Sequence, residues 1–83
     1  MKAYSTTLYY QSPDLLDLLD TILTGAAVTG AMGLDLTVKI IRIDTNTSEL
    51  DIEVISSDVT LLGKYKNYID SNEKNSTFKT LFN

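Results

Sequence analysis

The chain has 83 residues, no cysteine and no histidine, and 7 basic against 11 acidic residues give a formal net charge of −4. We expect a single α+β domain over residues 1–83, because two domains would each be too small to bury a core. The composition excludes disulfides, thiolate metal sites and histidine chemistry. Among the usual reinforcements of a small domain, self-association is left, so we expect a homo-oligomer.

Charge and hydropathy also restrict location and partners. A net charge of −4 opposes nonspecific binding to phosphates, so nucleic acid is not an expected partner. The first residues lack the basic and then apolar pattern of a signal peptide. The longest run without a charge, Thr21–Leu34, has 14 residues, whereas about 20 are needed to cross a bilayer. These features predict a cytoplasmic protein without membrane contact.

The first two elements are a strand and a helix. Lys2–Gln11 is rich in Tyr and Thr and predicts a strand, with its even-numbered residues from position 4 on one face. Ser12 is the expected N-cap of the helix, with Pro13 at its first position. Apolar residues then recur at helical spacing, and they are Leu15, Leu16, Leu19, Ile22, Leu23, Ala26 and Ala27.

The end of this helix has two candidate signals. Gly25 and Gly33 are both suitable C-terminal residues, although Ala26 and Ala27 continue the apolar phase beyond Gly25. We predict an end within Thr24–Thr29, with Gly30–Leu34 as the loop to the next strand.

Residues 35–56 read as a β-hairpin with a turn at Thr45–Ser48. The adjacent Ile40 and Ile41 break the two-residue alternation. One interpretation is a β-bulge at Lys39–Ile40, which places Ile41 opposite Ile52. The alternative is a regular strand buried on both faces, with its second face under another subunit. On that reading the interface residues are Tyr9, Ile40 and Ile55.

A second helix and a last strand complete the predicted order. Ser57 or Asp58 caps a helix whose core face is Leu61, Leu62, Tyr65, Tyr68 and Ile69. Thr77–Phe82 alternates apolar and polar residues and predicts a fourth strand. The order β-α-β-β-α-β predicts a ferredoxin-like split βαβ sandwich, with a four-stranded antiparallel sheet and two helices on one face.

Few residues suggest a site. Gly25, Thr29, Gly30 and Gly33 form the candidate ligand-binding segment, and close helix packing or a flexible turn are its structural alternatives. Asp14, Asp17 and Asp20 fit a solvated helix face better than a metal site. The segment 44–49 fits a turn better than an ion site. We therefore predict no metal and no cofactor.

Two families share the predicted strand order and allow a comparison. RNA-recognition modules carry stacked aromatic residues on their central strands, whereas the strand over Leu50–Ile55 has none and alternates with acidic residues. ACT-like regulatory modules bind small metabolites near a glycine-containing turn after the first strand. Here the glycines follow the first helix instead.

No pair of proton-transferring residues forms a recognisable motif, so we predict no catalytic residues and no enzyme. The leading hypothesis is a small non-enzymatic interaction module that self-associates through its sheet. One alternative is an ACT-like sensor that binds a small ligand near Gly25–Gly33. Another is an accessory inhibitor of a larger protein, of the kind that viral genomes encode.

Overall fold

The computed structural model describes residues 2–71, with Ser71 by its backbone alone, as an α+β fold. The elements in chain order are β1 (Tyr4–Gln11), α1 (Leu15–Ala31), β2 (Thr37–Asp44), β3 (Glu49–Ser56) and α2 (Val59–Ser71). The strands form one antiparallel sheet in the order β1-β3-β2.

The prediction of a four-stranded ferredoxin-like sandwich is wrong, because within residues 2–71 the sheet has three strands and the element order is β-α-β-β-α. The predicted fourth strand, Thr77–Phe82, lies outside the described residues. Alternation of apolar and polar residues suits a pleated surface, but it does not specify a strand that the segment will pair with. Local pattern therefore did not determine the number of strands in the sheet that residues 2–71 form.

Strand β3 lies at the centre of the sheet and carries most of the sheet's buried side chains. Its even-numbered residues, from Leu50 to Ser56, are buried on the helix-facing side of the sheet. Leu8 of β1 lies opposite Ile52 on the same side. The predicted face of β1, residues 4, 6, 8 and 10, is confirmed by this register. Strict two-residue alternation thus places one apolar face against the helices.

The hairpin contains the bulge that one of the two interpretations predicted, but one position later. Val38 pairs with Val54, Ile40 pairs with Ile52, and the register then shifts between Ile40 and Arg42. Ile41 is therefore the extra residue, and Ile40 takes the place opposite Ile52 that was predicted for Ile41. Both placements keep an apolar residue against Ile52, so the alternation alone did not separate them.

The turn at residues 45–48 is closed by the side chain before it. The Oδ1 atom of Asp44 accepts hydrogen bonds from the backbone N–H groups of Asn46 at 2.9 Å and Thr47 at 3.2 Å. Ser48 has a positive φ of 59° before the chain enters β3. The predicted turn is confirmed.

Helix α1 starts and ends differently from the prediction. The N-cap is Asp14 rather than Ser12, and its carboxylate accepts from the Asp17 N–H at 3.0 Å. The C-terminal end is a Schellman motif, in which Gly33 has a φ of +73° and donates to the Gly30 carbonyl, while Leu34 donates to the Thr29 carbonyl. The helix therefore continues through Gly25, and Gly33 ends it.

Helix α2 fills the core above β1 and β3. Its predicted core face is confirmed, since each of the five residues is at least nine-tenths buried: Leu61, Leu62, Tyr65, Tyr68 and Ile69. Ile22 of α1 is fully buried beside them. Among residues 2–71, neither helix is long and apolar enough to cross a bilayer.

Candidate functional site

The segment predicted to bind a ligand is part of α1 rather than a loop. Gly25 is buried where the two helices meet. A Cβ atom at this position would lie 2.8 Å from the Cε2 atom of Tyr68 and 2.9 Å from the Cε1 atom of Tyr65. Gly25 therefore allows the two tyrosine rings to lie directly against the α1 backbone. This agrees with the close-packing alternative for this residue.

The other three residues of that segment have separate positions. Thr29 is fully buried, and its hydroxyl donates to the Ala26 carbonyl at 2.8 Å. Gly30 is exposed within the helix, and Gly33 forms the C-terminal motif. The structure does not bring Gly25, Thr29, Gly30 and Gly33 together around an open space.

The three predicted interface residues lie on two different faces of the sheet. Tyr9 pairs with Asp51 and Ile55 pairs with Ser5, which places both on the face away from the helices. Ile40 pairs with the buried Ile52 and so lies on the helix-facing side. These three residues were grouped on the prediction that β2 is a regular strand buried on both faces. The structure has a bulge after Ile40 instead, so the three do not share one face.

The outer face of the sheet is polar and charged. Arg42 lies within 3.4 Å of three carboxylates, with its nearest approach of 3.2 Å to Asp44 and the others to Glu49 and Asp51. The Asp51 hydrogen bond, followed by the charges around it, raises the pKa of Arg42. Hydrogen bonds from the turn backbone lower the pKa of Asp44. A face with this many ion pairs is typical of a solvated sheet surface.

The large exposed aliphatic side chains of the sheet lie instead on β2. Ile40, Ile41 and Ile43 are 42%, 57% and 47% exposed, and we call these three residues the β2 isoleucine surface. Val38 and Leu36, nearer the start of β2, pack against the core. Coverage by the helices therefore decreases along β2 toward the turn, and it leaves large β-branched side chains open to water.

Two further apolar side chains are exposed on α1. Leu16 and Leu23 lie about 160–180° around the helix from Gly25, if each residue turns the helix by about 100°. Because Gly25 faces α2, both leucines are on the flank of α1 that is turned away from α2. Both belong to the apolar residues that the sequence places at helical spacing, yet the structure shows them exposed.

A surface cleft of about 330 Å³ lies near the ends of β1 and α2, with Tyr10, Asp17 and Ile69 among its lining residues. The hydroxyl of Tyr10 donates to the Asp70 carboxylate, which also forms an ion pair with Lys66. Burial and then the Asp70 charge raise the pKa of Tyr10. The Asp70 carboxylate is already satisfied by these partners, so the cleft presents no unpaired charge from it.

Among residues 2–71, no group of three or more acidic side chains is placed to hold a metal ion. The side-chain polar atoms that are fully buried in this range all have hydrogen-bond partners. The described core therefore offers a ligand no orphaned polar side-chain atom.

Sequence reasoning missed the β2 isoleucine surface as a unit. It named Ile40 as an interface residue on one interpretation and set Ile41 opposite Ile52 on the other, whereas both isoleucines are exposed on the same strand as Ile43. The available signal was the doublet Ile40-Ile41, because two adjacent large apolar residues cannot both follow the two-residue alternation of a strand. The pattern does not show which elements cover β2, because tertiary packing decides that.

Comparison with known proteins gives no match to a protein-family model, to a curated protein or to a solved structure.

Proposed function

We propose that this chain is a small non-enzymatic interaction module that self-associates through its sheet, and that the contact surface is the edge strand β2. The observation that carries the proposal is the β2 isoleucine surface, with Ile40, Ile41 and Ile43 each more than two-fifths exposed on one strand. Exposed apolar residues are unremarkable singly, whereas grouped ones mark contact sites.

The position of this surface supports an edge contact rather than a face contact. The outer face carries Arg42 and its carboxylate partners, and stacking another subunit there would remove these charges from water. An exposed edge strand offers backbone hydrogen bonds as well as apolar side chains. The proposal includes a cytoplasmic location and no role for nucleic acid, which the sequence predicted from charge and composition.

The two alternatives have less support in the described residues. A small-ligand sensor was predicted at Gly25–Gly33, where Gly25 and Thr29 are occupied by helix packing. An inhibitor of a larger protein would also use an exposed surface such as the one on β2. Its partner would be a different protein, whereas self-association uses a second copy of this chain.

The test is the oligomeric state of the full chain over a wide concentration range, measured by sedimentation velocity. We expect the mean mass of the wild type to rise with concentration, and we expect Ile41→Thr to shift this rise to several-fold higher concentration. Ile41 is 57% exposed, so its substitution removes apolar contact surface with little loss of core packing.

The matched control is Val59→Thr on α2, because Val59 is 61% exposed and lies outside the sheet. We expect it to associate like the wild type. A wild type that stays monomeric at millimolar concentration contradicts the proposal, and so does an equal effect of both substitutions.

A further inference from the structure

Strand β2 has one free edge among the described residues, since it pairs with β3 on one side only. The backbone N–H and C=O groups along that free edge have no partner strand within residues 2–71. An unpaired edge with exposed apolar side chains is a template for a further strand.

We propose that the strand that fits is β2 of a second copy of this chain, paired antiparallel about a two-fold axis, with Ile40 opposite Ile43 and Lys39 opposite Asp44 of the second copy. This inference rests on the proposed function and adds the partner strand and its register. A two-fold axis makes each contact occur twice.

The two faces of β2 restrict the register. Side chains that are directly opposite in an antiparallel pair lie on the same face of the sheet. Val38, Ile40 and Ile43 lie on the helix-facing side, because they pair with buried residues of β3. Lys39 and Arg42 lie on the outer side, because they pair with Glu53 and Asp51.

Two registers centred on the bulge keep the faces matched along the strand. In the first, Ile40 is opposite Ile43 and Lys39 is opposite Asp44 of the second copy. In the second, the strands are shifted so that Val38 is opposite Ile43 and Lys39 is opposite Arg42. Neighbouring registers place a helix-side residue opposite an outer-side residue for part of the strand.

Charge separates these two registers. The first sets a lysine against a carboxylate at two symmetric positions, whereas the second sets a lysine against an arginine at both. Opposite charges directly across antiparallel strands are favourable, and like charges are unfavourable. The shifted register sets Ile40 opposite Ile41, so both registers pair exposed isoleucines and charge is what separates them.

The contact is expected to be weak and specific. A single strand edge buries an area at the low end of stable interfaces, for which a dissociation constant on the order of micromolar is reasonable. The bulge at Ile41 and the charged side chains of Lys39 and Arg42 discourage pairing with arbitrary strands. These features leave a defined register as the favourable way to cover the edge.

The experiment measures the dimer dissociation constant of Lys39→Glu by sedimentation equilibrium of the full chain. In the proposed register, the substitution sets a carboxylate against Asp44 twice, and we expect dimerisation to weaken about tenfold. In the shifted register, it sets a carboxylate against Arg42 twice, and dimerisation would strengthen. The two registers therefore predict opposite signs.

Lys2→Glu is the matched control, since it changes the net charge by the same amount, from −4 to −6, at an exposed residue ahead of β1. We expect it to dimerise nearly as the wild type does. Because Lys39 also pairs with Glu53 of its own chain, circular dichroism verifies that the Lys39→Glu monomer is folded. Lys39→Gln repeats the test without adding a carboxylate and is expected to weaken dimerisation about threefold.

The outcomes are distinguishable. Weakening by both Lys39 variants but not by Lys2→Glu supports the register. Strengthening, or dimers unaffected by Lys39, overturns the register while the proposed self-association stands. A wild type that stays monomeric, as it would if another segment of its own chain covered the β2 edge, overturns the inference together with the proposed function.

Discussion

Gly25 has a role that depends on its missing side chain. Tyr65 and Tyr68 of α2 lie against the backbone of α1 at this point, and their rings are stacked with centroids 6.2 Å apart. The Tyr65 hydroxyl donates to the Ile22 carbonyl at 2.6 Å, and the Tyr68 hydroxyl donates to the Thr21 carbonyl at 3.1 Å. Glycine thus lets the two helices join through buried phenols that have both apolar and polar contacts.

We predict that Gly25→Ala destabilises the protein. Its Cβ would meet two buried rings at less than 3.0 Å, and overpacking of this kind costs about 1–3 kcal/mol. The gain in helix propensity offsets only about 1 kcal/mol of this cost. Urea unfolding, with the midpoint compared at an unchanged m value, measures the difference.

Gly63→Ala is the control for this prediction. Gly63 lies within α2, is exposed, and has open space where a Cβ would be. We expect this substitution to stabilise the protein by about 0.5–1 kcal/mol, because glycine is the poorer helix former. If both alanine variants changed the stability in the same direction, close packing would not explain why position 25 is a glycine.

At the scale of elements, the ends of α1 are set by single side chains. Asp14 caps the first turn, and Gly33 allows the left-handed residue that closes the last one. The sequence contained both signals together with competing ones, Ser12 at the start and Gly25 at the end. Local propensity alone did not rank them, because packing at Gly25 favours the longer helix.

We predict that Asp14→Ala costs about 1 kcal/mol of stability, because the Asp17 N–H loses its hydrogen-bond acceptor. Asp14→Asn keeps an acceptor at the same position and is expected to retain most of the stability. Thermal unfolding followed by circular dichroism measures both. Equal losses in Asn and Ala would attribute the effect to charge rather than to the cap.

At the scale of the whole molecule, buried tyrosines of α2 connect the two helices, and the pKa of their hydroxyl groups is raised. Burial raises the pKa of Tyr65, and it also raises the pKa of Tyr68, where the Asp20 charge adds to the effect. The folded state therefore holds these protons more tightly than the unfolded chain does. The associated stability is present below the unfolded pKa of about 10 and is lost as pH rises toward the higher folded pKa.

We predict that the free energy of unfolding decreases with pH above about pH 10. Each buried tyrosine that ionises only on unfolding contributes up to about 1.4 kcal/mol per pH unit to this slope. Tyr65→Phe removes one such group, so its alkaline slope is expected to be shallower than that of the wild type. Urea unfolding at several pH values compares them, and identical slopes would show that Tyr65 does not contribute.

The amphipathic faces of the central elements could be predicted from the sequence. The predicted faces of β1 and α2 and the predicted hairpin turn agree with the structure. Each of these depends on the repeat of two or 3.6 residues, which burial on one face imposes on the sequence itself. The number of strands does not depend on such a repeat, and the predicted four strands do not match the three of the described sheet.

The candidate surface could be predicted only in part. Ile40 was named, but the bulge moved it to the opposite face from Tyr9 and Ile55. Ile43 follows the same apolar alternation as the buried residues of β3, yet it is 47% exposed.

The sequence by itself determined the order of the strands and helices along the described chain and which face of most of them is apolar, because side-chain periodicity is a local property. Only the tertiary structure decided which apolar faces are covered. Leu16, Leu23 and the β2 isoleucine surface are exposed because the two helices pack against each other and over the inner part of the sheet. Coverage depends on how neighbouring elements are placed, and no residue pattern within one element records that.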